Sequence, residues 1–136
     1  MSAALPTPQD CAELLAFLPR FQEPGFRAVV GSDYRVDAAT GQKFWIGPRY
    51  HPSVAEFFHV LGATPCWFDR EYDRGRCGAL LQDPDAIASA DLTTLRSLLT
   101  ACQRAERFGE GAWGAAVDQG YIAALLTRLQ ALARDA

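Results

Sequence analysis

Apolar side chains recur three and four positions apart in several stretches of the chain, the spacing of the buried face of an α-helix. The clearest stretch begins at Asp91, a residue suited to cap the first turn. Gly109 and Gly111 are suited to ending the helix, because glycine accepts the left-handed backbone found beyond helix ends. The apolar face carries Leu92, Leu95, Leu98, Leu99, Cys102 and Ala105, and the polar face carries Thr93, Ser97, Thr100, Arg104 and Arg107. This pattern predicts an amphipathic helix packed on a core.

Two residues near the end of this stretch depart from its pattern. Glu106 falls on the apolar face, and Phe108 falls on the polar side. A buried carboxylate is costly unless it is paired or hydrogen-bonded. We therefore expect Glu106 to have a partner or to lie where the apolar face opens to solvent. We expect the chain to turn at the glycines and to lay the next segment over Phe108.

A helix is predicted near the beginning of the chain. Thr7, Pro8 and Asp10 form a capping-box-like start. Pro19 is expected to end this helix, because proline disfavours the helical conformation of the preceding residue. Its apolar face carries Cys11, Leu14, Leu15 and Leu18.

Another helix is predicted in the middle of the chain. It starts either with a capping box at Ser53 and Glu56 or one or two residues earlier at Pro52. Gly62 is expected to stop it. Its apolar face carries Val54, Phe57, Phe58 and Leu61.

The second half of the chain contains further helical patterns. A short helix is predicted from Asp83 to about Ser89, another at residues 112–119, and a last one at residues 121–134 after an interruption at Gly120. The last helix directs Ile122, Leu125, Leu126, Leu129 and Leu132 inward.

Residues 64–81 have no clear period. Trp67 and Phe68 are expected to anchor this segment. Residues 69–76 alternate in charge, which indicates an exposed loop or a frayed helical turn.

A small β element is predicted near residues 26–46. Three β-prone pieces, Phe26–Val30, Tyr34–Val36 and Lys43–Ile46, are separated by turn-forming residues and closed by Gly47-Pro48. A turn at Glu23–Phe26 precedes them. We expect an antiparallel hairpin or meander, with irregular loop as the alternative. The predicted fold is therefore mainly α: a compact multi-helix single domain of residues 1–136 with a small antiparallel β element.

Composition narrows the class of protein. The chain has 136 residues, 49% of them hydrophobic, and a net charge of −3. These values predict a folded domain and argue against a protein that follows nucleic-acid phosphates. Residues 1–8 do not look like a secretory signal, and no apolar run approaches the length of a membrane span. We therefore expect a cytoplasmic protein whose four cysteines are free thiols.

Known catalytic and metal-binding patterns are missing from the sequence. His51, His59, Cys66 and Cys77 lack the spacing of a metal site, and we expect no cofactor. Neither a nucleophile elbow nor a phosphate-binding glycine loop is found. A helix-turn-helix could be drawn from residues 112–134, but its second helix carries only Arg128 and Arg134 as cations.

The candidate site is a polar cluster at the end of the long helix. In one interpretation Glu106 and Glu110 are paired carboxylates for acid–base chemistry, with Arg107 neutralising one of them. In the other, Glu106 accepts hydrogen bonds at a helix end and Trp113 fills the core edge. The second interpretation is favoured, because charged residues at helix junctions are more often structural. The candidate binding residues are Arg104, Glu106, Arg107, Glu110, Trp113, Trp67 and Arg70. Catalytic residues are not assigned.

Three motifs carry a family resemblance. They are L-L-x-F-L-P-x-F at residues 14–21, Y-H-P-x-V-x-x-F at residues 50–57, and L-R-x-L-L-T followed by R-x-E-R-F-x-x-G at residues 95–111. With them, most of the chain resembles a family of bacterial and phage-encoded domains of unknown function. The resemblance implies no particular activity. The occurrence of that family on mobile elements implies a regulatory or host–phage interaction role.

The leading hypothesis is a non-enzymatic protein-interaction or regulatory module with a protein partner, a homodimer being one form. The Trp67–Arg76 loop, which joins aromatic and charged residues, resembles an interface. The alternative is a small hydrolase-like enzyme using Glu106 and Glu110. Nucleic-acid association is the weaker alternative, and we expect no membrane contact.

Overall fold

Helices build most of the protein, and a two-stranded antiparallel sheet completes it, as predicted. The computed structural model describes residues 5–135. The expected absence of a secretory signal concerns residues 1–8, of which 1–4 lie outside the described residues. The elements in chain order are α1 (Pro8–Leu15), α2 (Leu18–Phe21), β1 (Val29–Val36), β2 (Lys43–Tyr50), α3 (Pro52–Ala63), α4 (Arg74–Leu81), α5 (Pro84–Ala88), α6 (Leu92–Arg104), α7 (Ala112–Asp118) and α8 (Tyr121–Arg134). Short 3-10 turns at Pro65–Trp67 and Ala105–Arg107 follow α3 and α6.

Side-chain caps begin several helices where the sequence predicted them. Thr7 and Asp10 form a capping box at α1. Asp83 caps α5, and Asp91 accepts a hydrogen bond of 2.8 Å from the amide of Thr94 at the start of α6. These contacts satisfy amides that have no partner within the helix.

Other helix boundaries differ from prediction. Pro19 does not end the first helix: α1 stops at Leu15, and Pro19 lies in the first turn of α2, where its missing N–H costs nothing. At α3 the earlier of the two predicted starts is correct. Pro52 is its first residue, and the His51 side chain accepts from the amide of Ser53. Gly62 lies inside α3, one residue before its end.

The charged run at residues 69–76 is only partly a loop. Asp73 accepts a hydrogen bond of 3.0 Å from the amide of Arg76 and so starts α4, a helix of two turns that the sequence did not predict. Cys77 is its buried residue. With a single buried side chain, this helix has no apolar period that sequence patterns could reveal.

The β element is a single hairpin that begins at Val29, after the predicted start at Phe26, and ends at Tyr50, beyond the predicted end at Ile46. Tyr34 pairs with Trp45, Arg35 with Phe44, and Asp33 with Gly47. The Gly31–Asp33 segment, predicted to separate strands, lies inside β1, and Gly47-Pro48 lies inside β2. Both sit near irregularities in the register, where β-bulges tolerate glycine and proline.

The core forms one cluster around α8. This helix contacts α1, α2, α5, α6 and α7, and it buries Ile122, Leu125, Leu126 and Leu129 as predicted, whereas Leu132 is only partly buried. Thr100, predicted on the polar face of α6, is instead buried. Its hydroxyl accepts from the amide of Asp69 at 2.9 Å and lies 2.8 Å from the carbonyl of Arg96. Thr100 of α6 thus holds the loop before α4 in place through a hydrogen bond.

No helix in residues 5–135 combines the length and apolarity needed to cross a membrane.

Candidate functional site

Residues 29–50, hereafter the arm, form the hairpin that projects from the helices. A two-stranded hairpin has no interior of its own, and its apolar side chains remain in contact with water. Val30, Tyr34, Val36, Trp45 and Ile46 each leave more than half of their surface exposed, and Phe44 leaves 43%. Large apolar residues gathered on one protruding element are typical of an interaction surface.

A three-residue clasp holds the arm on the helices. Tyr50 ends β2, and its hydroxyl donates to the carboxylate of Glu106 at 2.6 Å from the nearer oxygen. The same carboxylate accepts from the backbone amide of Trp113 at 3.1 Å. That amide lies in the first turn of α7. The N-cap residue of this helix is Gly111, which has no side chain that could accept a hydrogen bond from the amide. Glu106 therefore serves as a remote cap for α7 and as an anchor for the arm.

Aromatic packing completes the clasp. The indole of Trp113 stacks on Phe58 with ring centroids 4.6 Å apart, and its N–H donates to the carbonyl of Gln103 at 2.8 Å. A Cβ at Gly114 would lie 2.8 Å from Cγ2 of Val29 and 3.1 Å from a ring carbon of Tyr50. Any side chain at this position would therefore push the arm away from α7.

Position along the chain explains why Glu106 looked misplaced. The helix α6 ends at Arg104, and Glu106 lies in the 3-10 turn that follows. A 3-10 turn advances about 120° per residue rather than about 100°, so the helical pattern no longer describes where Glu106 points. The chain does not fold back over Phe108, which is 59% exposed and contacts the guanidinium of Arg74 from α4.

The paired-carboxylate arrangement is not formed in the described structure. Glu110 is exposed and extends toward Gly47, where a Cβ would lie 3.8 Å from its carboxylate oxygen. Across residues 5–135 the ion pairs are Arg20–Glu56 and Arg49–Asp33, so Arg107 neutralises neither glutamate. Within that range no group of three or more His, Cys, Asp or Glu side chains could hold a metal ion.

A small pocket gathers three of the other predicted residues. It measures about 210 Å³ and lies between α3, the turn at Pro65–Trp67 and the end of α6. Its lining residues are Leu61, Gly62, Trp67, Phe68, Thr100, Gln103, Arg104 and Arg107. The guanidinium of Arg104 lies 5.3 Å from the ring centroid of Phe68, which fixes it at the rim. Two arginines and one side-chain amide line this pocket, and no carboxylate does. This lining favours the binding of an anionic group of a ligand. Hereafter this is the arginine pocket.

The remaining predicted residues are dispersed. Arg70 is exposed and lies outside both the clasp and the arginine pocket. Trp67 is only 1% exposed, so it forms a wall of the pocket and not an interface anchor. Sequence reasoning missed Tyr50 and the arm aromatics. The β-prone pieces located the arm, but only the exposure of both its faces identifies it as a candidate site.

Comparison with known proteins places the chain in a family. Residues 6–135 match the model of the family of unknown function DUF6508, so the protein belongs to that family. No curated protein matches the sequence. No solved structure matches it either.

Replacing Glu106 with alanine is expected to lower the free energy of unfolding by about 1.5–3 kcal/mol, since charge-assisted hydrogen bonds to Tyr50 and Trp113 are lost. The matched control is Glu110→Ala, which removes an exposed carboxylate and should change stability by less than about 0.5 kcal/mol. Urea unfolding measures both. Equal losses in the two variants would contradict the clasp.

Stability is also expected to fall at alkaline pH. Burial, followed by the hydrogen bond to Glu106, raises the pKa of Tyr50 above its usual value of 10.0. The unfolded chain then releases this proton at lower pH than the folded protein does. The contribution of Tyr50 is therefore complete below about pH 10 and is lost as the pH rises further.

Urea unfolding at about pH 8 and about pH 11 tests this dependence. The wild type should lose more stability between the two than Tyr50→Phe does. Tyr34→Phe, at an exposed tyrosine of the arm, should behave as the wild type. If Tyr50→Phe loses as much stability as the wild type, the dependence has another origin.

Proposed function

We propose that this protein is a non-enzymatic protein-interaction module and that the arm is its binding element. The observation that carries the proposal is the set of half-exposed apolar side chains on both faces of the hairpin. Tyrosine, tryptophan and phenylalanine are the residues enriched at protein interfaces. A regulatory role in a bacterial or phage setting, which the sequence resemblance implied, would be exerted through the same arm.

The physical cost of leaving the arm unpaired supports this proposal. A two-stranded hairpin is marginally stable in water, and its outer edges leave backbone groups open to another strand. The clasp and Gly114 hold the arm against α7 at its base, while the apolar side chains along its strands stay exposed. A protein surface or strand that covers these strands would remove both costs.

The charges of the arm favour a protein over a nucleic acid. Between residues 29 and 50 the cations are Arg35, Lys43 and Arg49, and the anions are Asp33 and Asp37. Arg49 is paired with Asp33 at 3.0 Å. A surface that binds the phosphate backbone of a nucleic acid is expected to present several uncompensated cations.

The free thiols of all four cysteines support the expected cytoplasmic setting.

The geometry gives less support to the hydrolase alternative. It requires Glu106 and Glu110 to act together, whereas the Glu106 carboxylate is engaged by Tyr50 and by the amide of Trp113. Both of these contacts explain Glu106 without catalysis. Within residues 5–135 Glu110 forms no ion pair that could take its place.

Arm substitutions test the proposal. Trp45→Lys and Ile46→Lys should abolish stoichiometric association of the tagged protein with a host protein other than a second copy of the chain. Both side chains are 53% exposed, so the fold should be retained and can be checked by circular dichroism. Phe108→Lys, at an equally exposed aromatic outside the arm, is the matched control. Retention of the association in both arm variants would refute the proposal.

The arginine pocket supports a second function, the binding of a small anionic group. Arg104 is held at the rim by Phe68 and has no carboxylate partner within residues 5–135. Trp67 forms one wall, and its indole N–H has no hydrogen-bond partner in the described part of the chain. Guanidinium groups prefer carboxylate or phosphate. We therefore propose that a phosphate or carboxylate of a ligand or partner docks between Arg104 and Arg107.

Titration with inorganic phosphate tests this second function. Amide resonances of Gln103 and Arg104 should shift with phosphate concentration, and the double variant Arg104→Gln/Arg107→Gln should bind at least about tenfold more weakly. Arg70→Gln removes an exposed arginine outside the pocket and should leave the affinity unchanged. Equal phosphate affinity in the double variant and the wild type would rule this pocket out as the site.

A further inference from the structure

The two outer edges of the arm are not equivalent. In β2, Ile46 is an extra residue in the register, and Pro48 has no N–H to offer. Both features obstruct the pairing of another strand. From Gly31 to Val36, β1 pairs residue by residue without an insertion of its own and contains no proline. Only β1 therefore presents a regular edge.

The direction of the backbone groups on β1 follows from the hairpin turn. The amide of Asp37 donates to the carbonyl of Gln42 at 2.9 Å, across to the β2 side. Because backbone groups alternate in direction along a strand, those of Arg35 and Asp33 also point toward β2. Those of Ser32, Tyr34 and Val36 point outward. A strand that joins this edge must place its own bonding positions opposite these three.

We propose that a second copy of this chain pairs antiparallel along β1, with the two-fold axis at Tyr34. This inference rests on the proposed function and names the partner of the arm. In this register Tyr34 faces its own copy and Ser32 faces Val36 of the second copy, so the outward positions meet. Asp33 then faces Arg35 of the second copy, twice across the axis. Opposite charges directly across a sheet are stabilising.

Neighbouring registers are worse. A shift of one residue places residues whose backbone groups point outward opposite residues whose backbone groups point toward β2, so the hydrogen bonds between the two copies cannot form. A shift of two residues sets Asp33 against its own copy in one direction and Arg35 against its own copy in the other, and both place like charges together. The sequence of β1 is thus self-complementary in one register. An interface about a two-fold axis requires such self-complementarity.

Pairing would also relieve the weakness of the arm. Two hairpins joined along β1 form a four-stranded sheet. A sheet with this many strands can be stable where a single two-stranded hairpin is marginal. The faces of the two arms would become continuous, so Tyr34 would lie beside its copy, with Trp45 next to it on the outer strand of each arm. The helical part of each chain would stay at the far ends of the sheet.

A disulfide at the axis tests the register. In a hydrogen-bonded antiparallel pair the α-carbons lie about 5.5 Å apart, within the range a disulfide spans. Tyr34→Cys, made in a Cys11→Ser background because the other three cysteines are buried, should form a covalent dimer under mild oxidation. Lys43→Cys, on the other strand of the arm, should remain monomeric on a non-reducing gel.

A second variant tests the interface with Tyr34 in place. By sedimentation equilibrium the wild type should have the mass of two chains. Arg35→Asp, which faces Asp33 with a like charge, should weaken the dimer about tenfold. Equal cross-linking of Tyr34→Cys and Lys43→Cys, or a wild type that stays monomeric at all concentrations, would overturn the pairing.

The two proposals fail separately. If the wild type is monomeric but loses a different stoichiometric protein in Trp45→Lys and Ile46→Lys, the second-copy inference is wrong and the interaction module stands. If the wild type is monomeric and Trp45→Lys and Ile46→Lys change no association, both are wrong.

Discussion

The carboxylate of Glu106 is the contact on which the arrangement of arm and helices depends. It joins the hydroxyl of Tyr50, at the end of the hairpin, to an amide in the first turn of α7. These groups are far apart in sequence, and without the carboxylate each would lose its acceptor in a partly buried place. Because a desolvated donor without a partner is costly, the carboxylate fixes both the start of α7 and the angle at which the arm leaves the helices.

The arm is the part of the molecule that its own fold stabilises least. Within residues 5–135 its strands pair only with each other. Its apolar side chains are less covered on either face than core residues are. Gly114 allows Val29 and Tyr50 to approach α7 closely, so the base is held rigidly while the apolar side chains along the strands stay exposed. A rigid base reduces the entropy that a partner must overcome on binding. This arrangement is consistent with the recognition role proposed above.

The 3-10 turn after α6 separates the clasp, which contains a carboxylate, from the arginine pocket, which contains guanidinium groups. Glu106 faces the arm, whereas Arg104 and Arg107 face the arginine pocket on the side of α3 and Phe68. In the sequence these residues form one cluster that resembles an acid–base site. The change from α-helical to 3-10 geometry at Ala105 rotates them apart. Their proximity in sequence suggested one acid–base cluster, whereas the described structure divides them between the clasp and the arginine pocket.

The sequence by itself determined the mainly helical fold and most of its helices. The caps at Thr7 and Asp91 and the spacing of leucines in α8 act within a few residues, so their effect can be read locally. Only the tertiary structure decided the burial of Thr100, the partner of Glu106 and the exposure of the arm. Each depends on which segments meet in space, and a periodic pattern contains no information on the partner that covers, or fails to cover, a given face.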